Sequence, residues 1–253
     1  MTVIITIPVD DGIIVAADAE SAIGLHGLRT RHNKLTPVGS HLLFVLGSAQ
    51  QFVMEGGILL TPPIFELGET FAQLYFPGAE EADFLSNIHE AATKTIEKLL
   101  GRGLTRCFNN NICSVGVVCV GKPILLCEFD YETIDNDDSI RVNGTARPSN
   151  VCHIFANSAV PSIIRDVNSA EHQRVLDIIG QQNVSLLFSE QANMSRSTNA
   201  GLEACKRLIA ASRIIDFIER NAIPVSENFD ACLVRPSNIV QILAENEPVT
   251  ASA

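Results

Sequence analysis

The chain has 253 residues, 46% apolar and 19% charged, the composition of a globular protein long enough to bury one sizeable core. Asp and Glu outnumber Lys and Arg by 29 to 18, giving a formal net charge of -11 without any Lys/Arg block, so nucleic acid is not an expected partner. No apolar run reaches membrane-spanning length, and the start Met-Thr-Val-Ile-Ile-Thr-Ile lacks the basic flank of a signal peptide, so a cytoplasmic protein without membrane contact is expected.

In chain order, residues 3–9 and 13–17 are β-branched runs joined by Asp10-Asp11-Gly12, a tight-turn signal that predicts a hairpin whose first strand begins at Thr2. A third strand is predicted over 41–46, ending at Gly47-Ser48, and a second hairpin over 113–120 and 124–129 around Gly121-Lys122-Pro123. Helical spacing of Phe84, Ile88, Ala91, Ala92, Thr95, Ile96, Leu99 and Leu100 predicts a helix that Gly101 stops. A strand over 151–156 and a helix over about 161–179 follow. Leu202, Cys205, Leu208, Ile209, Ser212, Ile215 and Ile218 trace the stripe of a second strong helix ending before Pro224, and strands close the pattern at 229–234 and 239–243. Strands, helices, strands, helices, strands in that order suit two stacked sheets between helical layers, an α+β fold rather than a parallel βαβ array. One domain over 1–245 with a polar tail over 246–253 is expected.

Seven cysteines without C-x-x-C spacing fit a reduced protein, with Cys113, Cys119 and Cys127 as core residues of apolar strands. The six histidines form neither H-x-x-x-H nor H-E-x-x-H, so no metal is expected. No Gly-rich loop sits at a strand-to-helix junction, so no nucleotide cofactor is expected either.

The chemistry in this sequence centres on Thr2. Once Met1 is removed, an N-terminal threonine carries its own base: the hydroxyl is the nucleophile and the free α-amine, with a pKa of roughly 7.7 to 8, takes its proton. Asp18 lies sixteen residues on, at the end of the second hairpin strand in Ala16-Ala17-Asp18, and Lys34 thirty-two residues on. A lysine ammonium beside Thr2 stabilises an alkoxide and keeps the amine neutral, and an aspartate paired with that lysine holds it in place.

These residue types at these separations, in a hairpin, resemble the proteasome β subunits and their bacterial relatives. Phe44 to Gln50 is similar to the family's strand end beside the nucleophile, Val115 to Asp130 to its central hairpin, Phe155 to Pro161 to its glycine-serine-glycine turn, and Phe229 to Val234 to its late strand. The resemblance implies a four-layer αββα sandwich and a threonine-type endopeptidase working through an acyl-Thr2 intermediate, on peptide or unfolded protein, within a homo-oligomeric ring. It implies Ser158 as a proton relay and backbone N–H groups around Gly47 as oxyanion donors; whether a regulatory ATPase partners the ring is left open. Ser21, Thr36, Leu42 and Leu46 fall at pocket-like positions, implying an uncharged, moderately apolar side chain before the scissile bond.

Glu20 brings a second carboxylate beside Asp18, Phe44 stands at the family's oxyanion glycine, and Asn221 and Pro224 fall nearest the family's aspartate and serine, with Ser226 as a substitute. Gly56-Gly57 and Pro62-Pro63 interrupt a segment that the family builds as one long helix, and residues 168–198 are longer than the family norm. A non-catalytic structural subunit and a small-amide hydrolase of the same fold therefore stand as alternatives. For an active enzyme, losing Lys34 is expected to harm turnover far more than folding.

Overall fold

A computed structural model describes residues 3–23, 28–31, 34–38, 42–46, 53–55, 58–60, 90, 93–94, 113–119, 124–133, 140–147, 153–155, 170, 173, 176–177, 196–220, 226–244 and 247–248. Strands β1 (Ile4–Val9) and β2 (Gly12–Asp18) form the predicted hairpin, with Val9 opposite Gly12 across a two-residue turn. Gly12 makes the close approach at that turn: its φ is 153°, and a Cβ there would lie 2.1 Å from the Val234 carbonyl oxygen.

Two short antiparallel pairs and the start of a second sheet follow. Strands β3 (Glu20–Ile23) and β4 (Leu28–Arg31) pair with each other, as do β5 (Leu35–Val38) and β6 (Leu42–Leu46). Strands β7 (Val53–Glu55) and β8 (Ile58–Leu60) make a hairpin directly across Gly56-Gly57. Here the sequence resemblance implied a disturbed helix, and local chemistry prevails, because a Gly-Gly pair between short β-prone runs is a hairpin turn.

Strands β9 (Cys113–Cys119), β10 (Leu125–Thr133) and β11 (Ile140–Arg147) complete a five-stranded antiparallel sheet in the order β11-β10-β9-β6-β5. Strand β12 (His153–Phe155) returns beside β1, and β13 (Phe229–Val234), β14 (Ile239–Ala244) and β15 (Glu247–Pro248) extend the other sheet to β12-β1-β2-β13-β14-β15. Glu247–Pro248, expected in a polar tail, thus pairs with β14.

The near-continuous apolar runs of β1, β2 and β13 are explained by burial on both faces. Ile5, Ile7, Ile14, Ala16, Phe229, Ala231 and Leu233 pack against Ala204, Cys205, Leu208 and Ile209 of helix α1 (Thr198–Arg220). The alternate residues Ile4, Ile13, Val15, Ala17, Cys232 and Val234 meet Leu35, Leu43, Val45 and Leu126 of the other sheet, and Ile124 just before β10. Helix, six-stranded sheet and five-stranded sheet are therefore stacked layers of an α+β fold. The helix expected over 84–100 falls almost wholly outside the described residues. In the segment expected as helix over 161–179, residues 170, 173, 176 and 177 are helical, and Leu176 packs onto the helix-side core. Among the described residues, no helix is long and apolar enough to cross a membrane.

Candidate active site

The hairpin register brings Asp18 to the start of the chain. Ile4 pairs with Ala17, so the next residue outward on each strand, Val3 and Asp18, face each other. The Asp18 N–H donates to the Val3 carbonyl oxygen at 3.2 Å, and the Val3 N–H donates to Asp18 Oδ1 at 2.8 Å. Both main-chain groups of Val3 thus end on Asp18, which fixes the residue that follows Thr2.

The second carboxylate oxygen reaches the other sheet. Lys34 Nζ lies 2.8 Å from Asp18 Oδ2, with side-chain exposures of 2% and 0%. Lys34 immediately precedes β5, so this buried ion pair ties the end of a strand in one sheet to the start of a strand in the other. Burial pushes the Asp18 carboxyl above its ordinary range, while the Lys34 ammonium and the Val3 N–H pull against that rise.

Strand β13 supplies the third wall. Phe229 pairs with Asp18, and the Ala19 N–H donates to the Asn228 carbonyl at 2.9 Å. The Asn228 N–H in turn donates to Ser226 Oγ at 3.1 Å, and Ser226 is buried. The adjoining Glu227 forms an ion pair with Arg213 of α1. Asp230, buried opposite Ala17, is a carboxylate of this region that the sequence reading missed; its signal was an acid inside the otherwise apolar run Phe-Asp-Ala-Cys-Leu-Val. Next to it, burial and the Asp230 charge push the Cys232 thiol up to about 12, leaving it protonated and inert at neutral pH.

Of the residues singled out in the sequence, Asp18 and Lys34 are brought together, and Ser226 sits one loop away. Thr2, Ser158, Gly47, Asn221 and Pro224 lie outside the described residues. Thr36 is half-buried and pairs with Phe44, and Ser21 pairs with Thr30. Glu20 pairs with Arg31, so a cationic position stands across from the second carboxylate. With both ends of the pair buried, losing Lys34 would strip a buried carboxylate of its counter-charge, so a cost in folding is expected beside the cost in turnover.

On the helix side of the first sheet a cavity of about 250 Å³ is lined by Asn199, Leu202, Glu203, Lys206, Phe229 and Leu243, without a nucleophile and base in contact. Among the described residues, no three His, Cys, Asp or Glu side chains form a metal-binding group.

No family model matches the chain, and no curated protein does. Among solved structures, the Anbu (Gly-1) mutant from Hyphomicrobium sp. strain MC1 is similar over 98% of this chain and 89% of that one, at 12% identity and a TM-score of 0.49. A likeness at that level assigns neither a family nor a residue's role.

Proposed function

We propose that the chain is a proteasome-like N-terminal threonine hydrolase that cleaves peptide bonds through an acyl-Thr2 intermediate. The observation that carries the reading is the Asp18 carboxylate, which holds the Val3 N–H with one oxygen and Lys34 Nζ with the other. A well-packed apolar pair often serves stability as well as a buried ion pair does. In this reading the charges serve the residue that precedes Val3, whose N–H the carboxylate holds.

In the proposed reaction Met1 is removed first. The α-amine of Thr2 takes the hydroxyl proton, and the oxygen attacks the peptide carbonyl. Backbone N–H groups around Gly47 stabilise the oxyanion, and the proton passes through the amine, with Ser158 as relay, to the departing amine of the substrate. Water then gives its proton to the α-amine and attacks the ester, releasing the acid and restoring Thr2. Lys34 favours the alkoxide and the neutral amine, and Asp18 orients Lys34. In this reading a second helical layer completes a four-layer αββα sandwich, residues 1–245 are one domain, and the protein is a cytoplasmic homo-oligomeric ring acting on peptides or unfolded protein.

Intact mass before and after treatment with an epoxyketone or β-lactone tests the reading. Loss of one methionine and a single adduct on wild type, with no adduct on Thr2→Ala, are expected. Met1 retained on folded protein would remove the proposed base and overturn the mechanism. A second reading, a non-catalytic structural subunit, is favoured by the β7–β8 hairpin where an active relative is expected to have helix. The same protein without any adduct, but assembled, would support it. Turnover of simple amides without turnover of peptides would instead identify a small-amide hydrolase.

A further inference from the structure

The cavity on the helix side of the first sheet lies apart from the Asp18–Lys34 pair, which reaches toward the other sheet. Its walls come from α1 and from two strands. Asn199, Leu202, Glu203 and Lys206 recur at spacings of three, one and three, so they share one face of the helix, and Phe229 of β13 and Leu243 of β14 complete the lining among the described residues. Leu202, Phe229 and Leu243 belong to or pack against the core on that side. Phe229 is buried, and the two leucines stay partly open to water. An apolar wall left wet after folding can still gain from covering by a ligand.

Volume limits what could cover it. At about 250 Å³ the cavity is smaller than the roughly 300–1,000 Å³ of pockets for drug-sized molecules, but larger than an apolar cavity of about 150 Å³ that takes up benzene. One ring or a short alkyl chain carrying a single headgroup fits that range.

Charge decides which headgroup. Two ionised side chains line the cavity, and they differ in their commitments. Glu203 Oε1 accepts from Arg207 Nε at 3.1 Å, one turn along the helix, so its charge is largely answered. Lys206 is exposed and makes no ion pair among the described residues. Asn199 is seven residues away, about 10 Å along the helix, so a headgroup at Lys206 does not meet its amide. We propose that this cavity binds a small carboxylate with an apolar body, the carboxylate at Lys206 and the body against Leu202, Phe229 and Leu243. Apolar burial supplies most of the affinity, and Lys206 supplies the selectivity, because an exposed charge pair contributes little by itself. Neither Thr2 nor assembly enters the inference, so it stands apart from the hydrolase reading.

Titration of the full chain, labelled with carbon-13 in its leucine methyl groups, tests the site with 3-phenylpropanoate, 3-phenylpropan-1-ol and 3-phenylpropylamine. Shifts at the Leu202 and Leu243 methyls and a Kd of about 0.1–1 mM are expected for the carboxylate. At about 50 mM salt it should bind about threefold more tightly than the alcohol, and the amine should bind least, with the differences shrinking at about 0.5 M salt. Lys206→Gln, a change at an exposed position, should make acid and alcohol equal while the leucine shifts persist. Lys206→Glu should favour the amine. Equal binding of acid and alcohol by the wild type, or a preference for the acid that survives Lys206→Gln, would overturn the role of Lys206 and with it the inference. Shifts confined to other leucines, or no binding at about 10 mM ligand, would show that the cavity is not a ligand site.

Discussion

At the scale of single residues, the buried Asp18–Lys34 pair makes a contribution to stability that depends on pH. Asp18 is fully buried and its carboxyl is already pushed up by that burial, with the ammonium of Lys34 opposing the rise. Replacing Lys34 by Met keeps the apolar stem and removes the opposing charge, so the folded carboxyl rises further above its unfolded value. Its proton is then held more tightly in the folded than in the unfolded state. Stability is fully present below the unfolded carboxylate pKa of about 3.9 and is lost as pH rises through the raised folded value. Urea unfolding of Lys34→Met at pH 7 should show a loss of about 3–5 kcal/mol against wild type, the cost typical of breaking a buried pair, and the gap should narrow by pH 4. Asp18→Asn combined with Lys34→Met should recover part of the loss, because neither member is then a lone charge. A loss independent of pH would mean that Lys34 contributes packing alone. The pair itself was legible from two residue types at set distances from Thr2. Asp230 was not, because a lone acid in an apolar strand carries no spacing to match.

At the scale of elements, the turn at Gly12 is where the first hairpin meets β13. A methyl group there would stand 2.1 Å from the Val234 carbonyl, a main-chain atom that cannot step aside without moving β13, and the positive φ adds strain of its own. Gly12→Ala should cost about 3 kcal/mol in chemical denaturation. Gly201 makes the instructive contrast. Its added methyl would meet only the ends of the Ile14 and Val9 side chains at 2.7 Å, and Ala raises helix propensity by about 1 kcal/mol, so Gly201→Ala should change stability far less. Equal losses in the two variants would show that side-chain ends here are as immovable as main chain. Element-scale legibility followed the same physics. The β1–β2 hairpin is readable because β-branched apolar runs flank a turn signal, and β13 because a short, mostly apolar run ends at Arg235-Pro236-Ser237-Asn238. Helix α1 was readable from its stripe but begins earlier than the stripe, at a serine cap in which the Ala200 N–H donates to Ser197 Oγ at 3.3 Å. Strand β11 was missed although Ile140, Val142, Gly144 and Ala146 alternate with Arg141, Asn143, Thr145 and Arg147, since glycine and alanine do not register as an apolar face. The β7–β8 hairpin runs against the resemblance, which implies helix there, and follows Gly56-Gly57, a turn signal between short apolar runs.

For the whole molecule, net charge and assembly pull in opposite directions. In the proposed ring each added subunit brings a formal charge of -11 close to its neighbours, a repulsion that grows with every copy and that apolar contact must exceed. Salt shortens the reach of that repulsion from about 30 Å at 0.01 M to about 8 Å at 0.15 M, while burial of apolar surface is not weakened. Assembly should therefore strengthen with salt. Light scattering at micromolar protein should report several times the 27.4 kDa chain mass at 0.15–0.5 M salt and a smaller species near 0.01 M. A ring that falls apart as salt rises would mean that subunits meet through opposite charges, and the acidic excess would then be an interface feature. A monomer at every salt concentration would contradict the enclosed-ring model and favour an ordinary amidase, since a lone chain with an open site has no compartment to restrict what Thr2 could cleave.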